Sequence, residues 1–222
     1  MDDWQPTRLR CVDQTALAVR HVWCVGRNYA AHAREMGASP EQEVPLFFSK
    51  PAVCLVQQSA IAYPTSTDSL HHEAELAVIL GQGGRNLAPE QVDHCIQAWA
   101  VSCDLTRRDV QARAKQAGHP WEMAKAFDQS APIGPCLPAS EWRPLPESRI
   151  RLAVNQQTRQ SAQLGEMIWD VPSLISRLSH EVTLHSGDVV LTGTPAGVGP
   201  LSVGDDVRVE VEGLPALQFH IV

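Results

Sequence analysis

His71-His72-Glu73-Ala74-Glu75-Leu76-Ala77-Val78-Ile79-Leu80 is the stretch on which the reading of this chain turns. Its second half is a short apolar run, the pattern of a buried strand. Side chains along a strand alternate faces, so Glu73 and Glu75 project together from one end of it. Two neighbouring like charges repel, and burying them uncompensated costs on the order of several kcal/mol each, as much as a polar group left without a hydrogen bond or more. A divalent cation offsets that cost. An all-oxygen carboxylate set favours a hard ion, magnesium, manganese or calcium, over zinc. The alternative is a strand end at which both acids face water.

A third acid stands at the end of a second apolar run. Asp104 follows Ala98-Trp99-Ala100-Val101-Ser102-Cys103, which also reads as a buried strand. Beyond it, Leu105-Thr106-Arg107-Arg108-Asp109-Val110-Gln111 has helical composition with Thr106 as N-cap. Alone, Asp104 reads equally as a local cap or as a salt-bridge partner of Arg107 or Arg108. Grouped with Glu73 and Glu75 it completes a facial set of carboxylates. Such a set leaves about three of six octahedral positions for water and substrate.

Outward from these strands the chain has ordinary proportions. Its 222 residues suffice for one sizeable core and are consistent with one catalytic unit over 1–222. Hydrophobic residues at 44% and charged residues at 19% match a soluble globular balance. A net charge of −7 without a Lys/Arg run argues against nucleic acid or an anionic membrane as partner. Met1-Asp2-Asp3-Trp4 carries neither a basic nor an apolar signal region, and no run of about 18 apolar residues exists. The six cysteines are scattered without a C-x-x-C pair. They suit reduced thiols of a cytoplasmic protein better than zinc ligands or a disulfide framework.

The remaining pattern predicts an α+β, β-rich fold. Strands are expected at 21–25, 46–49, 150–154, 188–192, 207–211 and 217–222, each bounded by Gly, Pro or Asn signals. Helices are expected at 29–36, 89–97, 106–118 and 170–180, the last with Leu174, Ile175 and Leu178 at helical spacing. Helices and strands do not alternate regularly, which argues against a doubly wound parallel sheet. Residues 132–147 hold five of the 16 prolines and read as an ordered surface connection.

Several other groups are candidates for chemistry, each with an ordinary alternative. His32 and Glu35 lie three apart on the predicted helix after Gly26-Arg27-Asn28-Tyr29, where a carboxylate would orient an imidazole as general base; an exposed ion pair is the alternative. Lys50 and Lys125 sit among apolar residues and would hold a carboxylate or an enolate, or else snorkel to water. Arg27, Arg108 and Gln111 are candidate clamps for substrate carboxylates. Thr192-Gly193-Thr194-Pro195-Ala196-Gly197-Val198-Gly199 follows a strand and forms a tight loop able to offer N–H groups to a ligand. It lacks the G-K-[ST] ending of a phosphate loop, and no G-x-G-x-x-G follows Gly26. His21, His94, His119, His180, His185 and His220 have no paired spacing and receive no role.

Taken in order, these segments resemble a known family. Cys24-Val25-Gly26-Arg27-Asn28-Tyr29 with His32 and Glu35, then Phe48-Ser49-Lys50-Pro51, His71-His72-Glu73-Ala74-Glu75, Asp104 through Gln111, Lys125-Ala126-Phe127-Asp128 and Leu191-Thr192-Gly193-Thr194-Pro195 are similar to the fumarylacetoacetate hydrolase family. The likeness is to its short acylpyruvase and oxaloacetate decarboxylase members. It implies a mixed β-sandwich roll with a few peripheral helices, in a homodimer with one Mg2+ or Mn2+ per subunit. Glu73, Glu75 and Asp104 would hold the metal, and His32 with Glu35 would form a dyad on a lid segment over 27–40. Lys125 would face the substrate, while Arg27, Lys50, Arg108, Gln111 and Thr194 would line its pocket. The implied chemistry is cleavage of a C–C bond in acylpyruvate-type β-diketo acids through a metal-stabilised enolate. Acylpyruvate or fumarylpyruvate hydrolysis and oxaloacetate decarboxylation are the instances. The alternatives are tautomerisation of oxaloacetate or of 2-oxo acids from aromatic degradation, and non-catalytic metabolite binding.

Overall fold

The two apolar runs pair with each other at the centre of the molecule. In the computed structural model, which describes residues 5–35 and 44–222, strand Ala74–Leu80 lies antiparallel to Ile96–Cys103, with Leu76 opposite Val101 and Val78 opposite Trp99. They belong to a six-stranded mixed sheet in the order Leu137–Pro138, Ile96–Cys103, Ala74–Leu80, Asp188–Leu191, His21–Gly26, Leu46–Lys50. Asp188–Leu191 runs parallel to His21–Gly26, and this pair makes the sheet mixed. A five-stranded sheet, ordered Gln157–Gln163, Arg149–Val154, Asp206–Val211, Leu217–Ile221, Ala60–Ile61, packs across it.

Alternation along the central strand explains its unbroken apolar run. Leu76, Val78 and Leu80 face the other sheet and share one core with Ile150, Leu152, Val209 and Phe219. Ala77 and Ile79 point the other way, into a second cluster with Leu9, Val22 and Ile133. A strand buried on both faces needs apolar side chains at every position. Helix Val171–Glu181 closes the first core with Leu174, Ile175 and Leu178, and Asp170 caps it by accepting the Ser173 N–H at 2.9 Å. Among the described residues, no helix is long and apolar enough to cross a membrane. All six cysteines are free and buried.

The expected strands and the helix at 170–180 form, with shifted ends. The helix after Tyr29 spans Ala30–Glu35, and residues 36–40 of the expected lid lie outside the described residues. The helix expected at 89–97 stops at Val92; a 3-10 turn, Asp93–Cys95, follows, and Ile96 opens the central strand. Ladder pairing of Ile96 with Leu80 outweighs local helical preference there. The helix expected from Thr106 begins at Arg108, because Thr106–Arg107 is a strand paired with Leu70–His72. Thr106 therefore caps nothing, and its hydroxyl donates to the Asp104 carbonyl at 3.2 Å. The proline-rich connection is partly interior: Ile133 and Cys136 are buried. Strand Gln157–Gln163 was not expected. It hairpins onto Arg149–Val154 through Asn155 and Gln156, both at positive φ, the geometry of a primed two-residue turn.

Candidate active site

Both central strands leave the six-stranded sheet at the same level. Leu70–His72 and Thr106–Arg107 belong to a small three-stranded sheet with Gly199–Leu201, so Glu73 and Asp104 occupy the two corners between sheets. The Asp104 N–H donates to the Glu73 carbonyl at 2.8 Å, which sets the corners side by side. Glu75 lies one pair inward, opposite Ser102. One carboxylate oxygen from each of Glu73, Glu75 and Asp104 falls within 4.8 Å of the others, and all three residues are buried.

Three cations surround these acids. Lys125, on the short helix Glu122–Lys125, donates to Glu73 Oε2 at 2.8 Å and Asp104 Oδ2 at 2.7 Å. Arg108 Nη2 reaches Glu73 Oε1 at 2.6 Å, and its Nη1 donates to Gln111 Oε1 at 2.7 Å. Lys50 Nζ stands 2.8 Å from Asp104 Oδ1 and also donates to Ser130 Oγ at 2.9 Å and to the Lys125 carbonyl. Among the described residues, Glu75 receives only the Gly193 N–H, at 2.6 Å. Burial pushes the Glu73 carboxyl up, but Lys125 and Arg108 outweigh it and hold it well below the usual carboxylate range. Burial, then Asp104 and Glu73, push the Glu75 carboxyl well above that range. Burial lowers the Lys125 ammonium, and Asp104 and Glu73 more than reverse this, so it stays protonated.

The donor set fits a hard dication. All three ligands are carboxylate oxygens within the span of one coordination sphere, and Asp104 Oδ1 accepts no hydrogen bond among the described residues although Lys50 is close. Glu75 has the least local compensation, and a cation would supply it.

His32 faces the same cavity. Its Nδ1 lies 3.3 Å from Glu35 Oε2, which also accepts the Gly197 N–H at 3.3 Å. Burial keeps the His32 imidazole below its ordinary value despite Glu73 and Glu35, so the ring is a neutral base near pH 7. Arg27, His32, Arg108, Gln111, Lys125 and Thr194 line one cavity together with Glu73 and Glu75. Lys50, expected among them, does not. It is 0% exposed and stands behind Asp104, because its ammonium is consumed by buried oxygens. The alternative pairing of Asp104 with Arg107 or Arg108 does not form: Arg107 stacks over the Phe127 ring at 4.3 Å, and Arg108 takes Glu73.

Sequence reasoning passed over the residues that brace the site. Asn28 is fully buried; its side-chain amide donates to the Thr192 and Trp169 carbonyls at 2.8 and 2.9 Å and its oxygen accepts the Trp169 N–H. It ties the turn before His32 to the glycine-rich loop. Gly193 follows at φ +92, where a Cβ would stand 2.7 Å from Asn28 Cβ, so this approach requires glycine. Gln160 Nε2 donates to Thr194 Oγ1 at 2.8 Å, and its Oε1 accepts from Ala74 N–H at 3.0 Å and meets His72 Nδ1 at 3.0 Å. Helical spacing offered one usable signal: Arg108, Gln111 and Lys115 share a face, and all three line the cavity.

A mixed β-roll whose sheet corners converge acids, a lysine and a histidine dyad on one cavity defines a class of metal-site enzymes. The chain belongs to the fumarylacetoacetate hydrolase family: the family described as Fumarylacetoacetate (FAA) hydrolase C-terminal matches residues 21–222. Among similar proteins, oxaloacetate tautomerase YcgM of Escherichia coli is 46% identical over 88% of this chain and 90% of its own length. The mitochondrial oxaloacetate tautomerase FAHD1 of Arabidopsis thaliana is 42% identical over 89% of each chain. The fumarylpyruvate hydrolase of Pseudomonas aeruginosa, solved with Mn2+ and pyruvate, superposes with a TM-score of 0.96, 42% identity, and coverage of 100% of this chain and 98% of its own.

Proposed function

We propose that this chain is a divalent-metal-dependent enzyme of 2-oxo carboxylates that cleaves the C–C bond of acylpyruvate-type β-diketo acids through an enolate. The observation that carries this reading is the protonated Lys125 set between Glu73 and Asp104 at 2.8 and 2.7 Å, beside a buried neutral imidazole on the same cavity. Glu73, Glu75 and Asp104 hold one Mg2+ or Mn2+. When bound, that ion supplies positive charge to the oxygens of a 2-oxo carboxylate.

The protein groups then divide the work. Arg108, Gln111, Arg27 and Thr194 bind and orient the substrate. His32, oriented by Glu35, takes a proton from water as its oxygen bonds to the distal acyl carbon. The bond between that carbon and C3 breaks, and its electron pair becomes the enolate of pyruvate. The Lys125 ammonium faces the developing negative oxygen, and a proton delivered to C3 completes pyruvate and a carboxylic acid. Lys50 positions Asp104. One catalytic unit spanning 1–222, a lid segment over 27–40, a homodimer and a cytoplasmic location accompany this reading.

A second reading, oxaloacetate tautomerisation, is favoured by the relatives that are 46% and 42% identical. It uses the same groups, with His32 moving a proton between C3 and the enol oxygen and no attacking water. Purified protein with Mn2+ is to be offered acetylpyruvate, fumarylpyruvate and enol-oxaloacetate. Pyruvate release from the first two, lost in His32→Ala, supports hydrolysis; tautomer conversion alone moves the assignment to the second reading. No turnover of any of the three sinks both.

A further inference from the structure

Helix Arg108–Ala117 carries its site-facing residues past the acids. Arg108 and Gln111 lie at the metal end, and Lys115 follows one turn beyond Gln111 on the same face, about 10 Å along the axis from Arg108. Lys115 lines the cavity with Trp121, whose ring holds its ammonium at 4.8 Å from the centroid. Trp121 is the N-cap residue of helix Glu122–Lys125, so the aromatic seat of Lys115 and the buried Lys125 share one short element.

Charge makes this position informative. Among the described residues no carboxylate forms an ion pair with Lys115. Arg27, Arg108 and Lys125 add positive charge in reach of it, and Glu73 is the negative charge that acts on it most. A half-buried lysine fixed on an aromatic face and surrounded by like charge attracts an anion. The acid cluster already addresses one end of a 2-oxo acid, so this anion belongs at the other end.

We propose that Lys115, seated on Trp121, is the receptor for a second, distal carboxylate, so that this enzyme prefers dicarboxylic 2-oxo acids over monocarboxylic ones. Lys115 is a specificity residue, and the inference rests on the acid cluster taking the 2-oxo carboxylate end. Trp121 limits the motion of the ammonium, which reduces the ordering cost of the new ion pair.

Two acids of equal chain length test this: 2-oxoglutarate, and 2-oxopentanoate, which has a methyl in place of the far carboxylate. Calorimetric titration of the whole protein with Mn2+ is expected to show 2-oxoglutarate binding about ten- to a hundredfold tighter. Lys115→Gln collapses that ratio to near one without weakening 2-oxopentanoate, and Lys115→Arg restores it. Equal binding or no binding of the two acids by the wild type overturns the inference, as does a preference that survives Lys115→Gln. Acetylpyruvate, which has no distal carboxylate, separates the two proposals. Its unchanged turnover alongside a missing preference removes the role of Lys115 only. A preference without turnover of any 2-oxo acid removes the catalytic reading only.

Discussion

The middle of the central strand pair and its end are equally buried and chemically opposite. Leu76 and Val101 are 0% exposed, while Glu75 and Asp104 at the same pair's end are 1% and 0% exposed. Burying a leucine stabilises the fold by roughly 1.5–3 kcal/mol, whereas a buried carboxylate is unfavourable unless charge or hydrogen bonds compensate it. The apolar middle thus carries the stability that lets the end hold three acids close together. The difference teaches that burial alone does not mark core: the direction of the free energy does.

Replacing the corner acid should break the functional half while sparing the structural one. Asp104→Asn is expected to lower turnover about a thousandfold and to weaken Mn2+ binding in parallel, with circular dichroism unchanged. Full turnover in the presence of a chelator would end the metal assignment. Lys125→Met strikes both halves, because it removes the shared partner of Glu73 and Asp104. Denaturant unfolding should show a loss of about 3–5 kcal/mol in metal-free protein, part of it recovered on adding Mn2+. A stability loss that Mn2+ does not touch would separate Lys125 from the metal acids.

The structural half is broken from the other side. Leu76→Ala should cost about 2–5 kcal/mol in thermal or chemical unfolding, with Mn2+ affinity in the folded protein unchanged. If affinity fell as well, the two regions would not be separable.

Glu75→Gln sharpens the contrast most. The folded-state carboxyl titrates above its unfolded value, so its ionisation opposes folding and stability is lost as pH rises through the raised value. Glutamine removes that opposition, and metal-free protein should gain about 1 kcal/mol at neutral pH while Mn2+ affinity drops. In the wild type, Mn2+ uptake should expel the Glu75 proton, so apparent affinity rises with pH. Calorimetry in two buffers of different ionisation enthalpy reads the proton directly; identical heats would contradict it.

Much of the site was legible in the chain because short-range periodicity placed it. Strand alternation made Glu73 and Glu75 candidates, the end of an apolar run Asp104, and helical spacing His32 with Glu35, each with an ordinary alternative until the family resemblance grouped them. Lys50 was recognised as unusual among apolar neighbours, but its sequence context does not say that it stands behind Asp104. Asn28 stood in a quoted motif without a role of its own and Gln160 carried no signal, since their importance lies in partners more than 80 residues away, Thr192 and His72. Strand Gln157–Gln163 is nearly all polar and was silent for the same reason: ladder pairing across the hairpin makes it a strand, not the apolar pattern.

What the sequence by itself determined is the inventory and its local order: two apolar strands, acids at their ends, a histidine dyad and a glycine-bearing loop. These follow from one-dimensional rules, the period of a strand and of a helix and the glycine needed at positive φ. Only the tertiary structure decided which cation meets which acid, and that Lys115 joins the cavity. Such choices depend on the register of distant strands and on electrostatic energies that fall with separation in space, and residue spacing along the chain contains neither.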